Sequence, residues 1–198
     1  MEKGMTAGFL RWPLAFPPDD AGARQAIGEC SVDGAFEMVS VSDAAEAIVY
    51  SPEAPLTPLA GAMHYSMELV SDSGPAVERA GIVMLVAFDV PPSLTGEVDR
   101  WYEEEHIGLL MRADGWLRAR RFRVVSCAGG PRWTSLAFHE LRDISVMASP
   151  ERAVARSTAW RAELERGAWF RAAGRGVFRP LTVQLSGSRI VDDPPVQL

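Results

Sequence analysis

The feature that most limits how this chain can fold is a faint internal repeat. "AGFLRWPLAFPP" (7–18) parallels "AGIVMLVAFDVPP" (80–92), each an apolar, strand-like run entered by Ala-Gly and closed by Pro-Pro. Further on, "FEMVSVSDAAEAIVYSPEAPLT" (36–57) parallels "LAFHELRDISVMASPERAVARST" (136–158), so that Phe36, Met38 and Asp43 match Leu136, Phe138 and Asp143. Ser51-Pro52-Glu53 then matches Ser149-Pro150-Glu151. That triplet reads as a helix start: a capping hydroxyl, a proline where no N–H is needed, and a carboxylate at the positive end of the dipole.

The copies are unequal. From 80 onward the pattern gives a strand 81–90, a helix 95–110, a strand 116–126 and a Gly-Gly-Pro turn. A strand 132–141, a helix 143–172 broken near Ser149, and a strand 176–185 follow. The order βαββαβ is the ferredoxin-like motif. In the first copy the counterparts of the opening helix and of "WLRARRFRVV" look missing, Pro55 and Pro58 interrupt its second helix, and the alternating "MHYSMELV" (63–70) is its last strand. The expected organisation is a truncated unit over 1–70, a Gly-Pro linker over 71–79, a complete unit over 80–186 and a tail over 187–198. The fold class is α+β, two ferredoxin-like units in tandem with the first degenerate. Chemistry, where there is any, belongs to the second unit.

Charge divides along the same line. Residues 1–99 hold 4 Lys+Arg and 15 Asp+Glu, whereas residues 100–198 hold 16 and 11. Two halves of opposite sign attract if they pack together; drift in surface composition explains the split equally well. The overall −6 disfavours nucleic acid or an anionic membrane as partner. No apolar run approaches the roughly 20 residues of a membrane span. The N-terminal "MEKGMTAGFLRWPLAF" lacks the basic and apolar regions of a secretion signal. Cys30 and Cys127 have no CxxC spacing, which fits a reducing cytoplasm and no structural zinc.

The helix over 95–110 contains "DRWYEEEHIGLL". Steps of about 100° put Val98, Trp101, Tyr102, Glu105 and Leu109 in one stripe and Glu103, Glu104 and Ile107 opposite. His106 lies at the stripe's edge, one turn after Tyr102. Glu105 on an apolar face needs a partner, and the arginines of "WLRARRFRVV" are the candidates. Alternation sends Trp116, Arg118, Arg120, Phe122 and Val124 to one face, and Leu117, Ala119, Arg121, Arg123 and Val125 to the other. Neither face is clean, so at least one arginine looks into a sheet-lined space. Three arrangements follow: a Glu105–Arg pair that only fixes the fold, a polar cavity in which arginine holds an anion and a Glu/His pair moves protons, or exposure of all these groups.

His64 and His139 each lie on a strand. His139 shares its face with Ala137 and Leu141 and reads as a core histidine or a cavity residue; His64, beside Ser66 and Glu68, reads as solvated or cavity-facing. No two histidines have metal-ligand spacing, and no protein-bound metal is expected. There is no GxSxG elbow, no phosphate loop and no GxGxxG after a strand.

"WYEEEHIGLLMRADGWLRARRFR" resembles the signature of EthD-like proteins of the dimeric α/β-barrel superfamily, in which a W-Y-x-x-E-H-I helix leads through a "pGflRaRRy" segment into the second strand. The matching residues are Trp101, Tyr102, Glu105, His106 and Ile107, then Gly115, Leu117, Arg118, Arg121 and Phe122. "PRWTSLAFHEL", "MASPE", "TAW" with Thr158 and Trp160, and "VFRPL" extend the likeness over 80–183. Gly108 and Asp114 stand where that group commonly has proline, which leaves the helix end open. The resemblance implies two sheets packed into a barrel, with a ligand cavity between sheet and helices or inside the barrel. The second sheet usually comes from a second chain; here the first copy could supply it, as an intrachain pseudo-dimer, and a homodimer on top is compatible.

Members of that superfamily include monooxygenases without metal or flavin, polyketide cyclases, isomerases and lactone-processing enzymes. Two-copy chains include haem enzymes, for which His139 would be the axial ligand, but no cofactor is expected here. The expected function is cofactor-independent acid/base chemistry on a small anionic or carbonyl-bearing molecule. His106 would be the base or acid, Tyr102 a donor to an oxyanion, Glu105 the orienter and Arg118 or Arg121 the anchor. Trp101, His139 and His64 complete the candidate pocket. The alternatives are a non-catalytic binding or accessory protein with the same cavity, and a structural pseudo-dimer in which the cluster fixes register.

Overall fold

The computed structural model describes residues 6–15, 17–28, 30, 33–41, 45–75 and 80–181. The tail read over 187–198, the end of the last strand, and residues 76–79 of the linker lie outside them.

Eight antiparallel strands close into a barrel in the order β1-β3-β2-β8-β5-β7-β6-β4. They are β1 (Thr6–Pro13), β2 (Phe36–Ser40), β3 (Glu46–Ser51), β4 (Met63–Ser73), β5 (Ile82–Phe88), β6 (Trp116–Ala128), β7 (Ser135–Leu141) and β8 (Gly174–Pro180). Each half of the chain contributes four neighbours in the same order (fourth, first, third, second), and β2–β8 and β4–β6 join the halves. The sheet therefore closes within one chain. Acidic side chains of the first half meet arginines of the second at these seams: Asp72 with Arg118 at 2.5 Å and Asp20 with Arg179 at 2.6 Å.

The first half is shortened in its helices rather than in its sheet, which corrects the alignment made from sequence. Residues 46–51, matched there to the segment ahead of a helix, form β3, and Ser51-Pro52-Glu53 starts no helix. The reason is burial on both faces. Ile48 and Tyr50 enter the barrel while Ala47 and Val49 pack beneath the helix α1 (Asp20–Ile27), so β-branched and aromatic residues in a row suit a strand better than a helix. In strand order β2 is the counterpart of β6 and β3 of β7, and the missing element is the second helix, replaced by the proline-rich stretch before β4. The strand β4 also runs to Ser73, into the stretch read as linker.

All eight strands send residues into the barrel, where Phe9, Tyr50, Tyr65, Phe122 and Phe138 form an aromatic core. Tyr50 and Phe138 stack with ring centroids 3.8 Å apart. At one end of this core Arg120 meets the fully buried Glu140 at 2.6 Å. A second core fills the space between the outer faces of β5, β6 and β7 and the helices of the second half. These are α2 (Thr95–Trp101), a π-helical turn (Tyr102–His106), α3 (Ile107–Leu110), α4 (Pro150–Arg156), α5 (Ala159–Glu165) and α6 (Ala168–Arg171). Their boundaries follow local signals. Ser149 and Thr158 cap α4 and α5 through bonds from the Arg152 and Arg161 amides at 3.3 Å, and Pro150 opens α4.

Candidate active site

The helix after β5 is continuous from Thr95 to Leu110 but not regular. The Ile107 amide donates to the Tyr102 carbonyl, five residues back, which defines a π turn and inserts one extra residue into the helical phase. Two consequences follow. Trp101 and His106, five apart, stack with centroids 4.2 Å apart at 25°, an approach a regular α-helix would deny them. Ile107, placed on the wet side by a uniform period, rotates inward and is buried. Glu103 and Glu104 are exposed as expected.

A one-residue irregularity also lies in β6. The register shifts between Trp116 and Arg118, so Trp116 faces the helices with Ala119 instead of the barrel with Arg120 and Phe122, correcting the strict alternation. There the Trp116 indole N–H donates to His139 Nδ1 at 3.3 Å.

Trp101, Tyr102, His106, Trp116 and His139 line one cavity of about 170 Å³ between the sheet and the helices. Its remaining wall is apolar, with Phe88 of β5 and Phe170 of α6. Its rim carries four arginines: Arg152 and Arg156 of α4, Arg161 of α5 and Arg175 of β8. Arg161 meets Glu165 at 2.6 Å, and its guanidinium also donates to the Arg156 carbonyl at 3.0 Å. Arg152 is held by the Met147 carbonyl at 2.6 Å.

Burial sets the protonation of the inner wall. It lowers His106 to about 4, with the arginines 161, 152 and 156 acting in the same direction and a hydrogen bond to the Ala155 backbone opposing them. It lowers His139 to about 3, helped by His106, Arg121 and Arg152, and raises Tyr102 to about 12 against the pull of Arg121. At neutral pH the site therefore holds two uncharged imidazoles, a protonated phenol and a cationic rim. The His106 Nδ1 atom is buried without a hydrogen-bond partner. With the ring's proton directed to Ala155, that nitrogen is the acceptor.

The structure thus gathers Trp101, Tyr102, His106 and His139 in one place and separates the other candidates. Arg121 lies beneath Tyr102, its guanidinium carbon 4.1 Å from the ring centroid, and pairs with Asp99 at 2.6 Å. Arg118 is committed to Asp72. His64 holds the Leu56 carbonyl through Nε2 at 2.9 Å, on the first half. The expected Glu105–arginine pair does not form: Arg118, Arg120 and Arg121 take Asp72, Glu140 and Asp99, and Glu105 Oε1 is buried without a partner. Sequence reasoning missed the four rim arginines. Their signals were the positive excess of the second half and the i,i+4 spacing of Arg152 and Arg156.

Among the described residues no cluster of His, Cys, Asp and Glu could hold a metal ion, and no helix is long and apolar enough to cross a membrane. No family model and no curated protein matches the chain. Solved structures do. An anthrone oxidase-like protein aligns at 8% identity with a TM-score of 0.67, over 91% of this chain and 93% of its own. An uncharacterized ferredoxin-fold protein from Listeria monocytogenes, related to antibiotic biosynthesis monooxygenases, aligns at 10% identity and a TM-score of 0.59, over 91% and 97%. A haem-degrading enzyme from Listeria monocytogenes aligns at 7% and 0.56, over 88% and 99%. At such identities the likeness is one of fold. That fold is a ferredoxin-like α/β barrel.

Proposed function

We propose that this chain is an EthD-like enzyme that performs cofactor-independent proton transfer on a small anionic or carbonyl-bearing molecule, as a cyclase, isomerase, lyase or monooxygenase does. The observation that carries the reading is the convergence of neutral His106, protonated Tyr102 and the arginine rim on one cavity. His106 accepts a proton from carbon beside a carbonyl, Tyr102 donates to the oxygen that becomes negative, and the rim stabilises the anion. A ligand's negative charge offsets the field of the arginines on His106 and so strengthens it as a base. Trp101, stacked on the imidazole, fixes its orientation. Glu105, Arg118 and His64 have no part in this scheme, and Arg121 acts by supporting Tyr102.

A haem-degrading neighbour raises the question of haem. The residues do not fit it: about 170 Å³ is close to the size of a cavity that takes benzene, with no room for a porphyrin, and His139 Nδ1 is engaged by Trp116. A binding role without turnover uses the same cavity, and the weak basicity of His106 favours it.

The test is deuterium exchange from D2O into 1-indanone and 2-tetralone, two-ring ketones of a size the cavity suits, followed by NMR. Exchange above the buffer rate, reduced about 100-fold or more in His106→Ala with an unchanged melting temperature, is expected. Wild type and His106→Ala at the same rate would mean binding only.

A further inference from the structure

The rim of the cavity is more than a source of positive field. Four guanidinium groups converge on it, and among the described residues one carboxylate, Glu165, is paired with any of them. The remaining anchors are main-chain carbonyls. Besides those of Arg152 and Arg161, Arg175 is held by the Ala173 and Phe170 carbonyls at 3.3 and 3.5 Å. Carbonyls fix the direction of a guanidinium without cancelling its charge. Mutual repulsion is felt: after burial, the largest influences that lower Arg152 are Arg156 and Arg161, and for Arg175 they are Arg161 and Arg156. Like charges gathered in this way, those of Arg152, Arg161 and Arg175 anchored, leave the cavity with a standing demand for an anion.

Depth separates two kinds of wall. Arg156 and Arg175 are exposed, whereas Trp101 and Phe170 are about 1% and 2% exposed. The charge therefore sits at the mouth and flat apolar rings sit within. The interior of about 170 Å³ is slightly larger than a cavity that accepts benzene. Guanidinium is also the side chain best shaped to grip a carboxylate through two parallel N–H bonds.

We propose that Arg156, Arg161 and Arg175, with the half-buried Arg152, are specificity-determining residues that recognise the acid group of a one- or two-ring aromatic ligand. The ring lies inward, against the half-buried Met84, Val86 and Val177, which sit among Trp101 and Phe170, and the carboxylate stays at the mouth. This assignment deepens the proposed function by naming the ligand class, and it rests on the same cavity.

Isothermal titration of the full chain with 2-naphthoate, 2-naphthalenemethanol and hexanoate tests it. The acid is expected to bind at least about tenfold more tightly than the alcohol of the same shape, since a hydrogen bond to a charged group is worth that much. Hexanoate, with the charge but no ring, is expected to bind weakly. Arg156→Ala/Arg175→Ala, two exposed positions, should remove the preference for the acid while the alcohol binds as before. Equal affinity of acid and alcohol, or naphthoate binding indifferent to the double substitution, overturns the assignment. Acid-selective binding without deuterium exchange would refute the catalytic reading alone. Exchange in neutral ketones with no preference for acids would refute this assignment alone.

Discussion

Asp99→Ala isolates the support beneath Tyr102. Arg121 has a side chain only 2% exposed, and its Nη2 reaches Asp99 Oδ1 at 2.6 Å. Its Nε and Nη1 are buried without partners, so Asp99 is its main electrostatic compensation; the Tyr102 ring face, 4.1 Å away, adds a smaller attraction. Removing one member of a fully buried pair costs about 3–5 kcal/mol, because the other charge is left stranded. Asp99 is 27% exposed, so water reaches the vacated side, and we expect about 2 kcal/mol. For a chain of this length that is a fall in melting temperature of about 4–8 °C. Arg121→Met gives the contrast. It keeps the stem's volume, removes the buried charge and leaves Asp99 to solvent and to Arg123, 3.7 Å away, and should cost less than about 1 kcal/mol. Urea unfolding of both variants measures the difference. If Asp99→Ala changes stability by less than about 0.5 kcal/mol, or Arg121→Met costs as much as Asp99→Ala, the stranded-charge argument is wrong.

Acid sensitivity follows from the buried His139 and the half-buried His106. In the unfolded chain histidine takes up a proton near pH 6.5, but His106 and His139 in the fold do so only near 4 and 3. The unfolded state thus binds more protons as pH falls below about 6.5, and stability drops with it. The contribution is complete above that value, and it is lost downwards to the folded values. Urea midpoints at pH 7 and pH 5, where carboxylates contribute little, should differ, and His139→Gln should reduce the difference; an unchanged difference would contradict burial as the cause. Gly115→Ala should destabilise by about 1–3 kcal/mol: its φ is +92°, and a Cβ would sit 2.8 Å from Val146 Cγ2. A thermal melt equal to wild type would show that the turn before β6 relaxes freely.

How much of this was legible in the sequence depends on whether a segment kept its period. β5 and β7 were readable because Ile82–Phe88 and Ser135–Leu141 are regular and buried on both faces. The break at Ser149 was readable because Ser-Pro-Glu acts locally. The same triplet misled at Ser51, where packing under α1 and into the barrel overrode it. Trp101, Tyr102, His106 and His139 could be nominated from spacing and resemblance. The partner of Glu105 could not, since which carboxylate reaches which arginine depends on strand register and on the approach of α2. The rim arginines come from three elements separated in sequence, and only the folded chain brings them to one mouth.

Two irregularities that no uniform period could reveal lie on opposite walls of the same cavity. A π turn and a strand bulge each add one residue. In the helix the addition turns His106 back onto Trp101 and Ile107 into the core. In β6 it turns Trp116 out of the barrel and onto His139. Each therefore brings an indole against an imidazole. The pairings also differ in kind: Trp116 occupies His139 Nδ1 as a donor, whereas Trp101 stacks flat on His106 and leaves its Nδ1 unpartnered. Of the two histidines in one cavity, His139 is tied into the wall and His106 Nδ1 has no partner, which is the ground for giving the proposed proton-transfer role to His106 rather than His139.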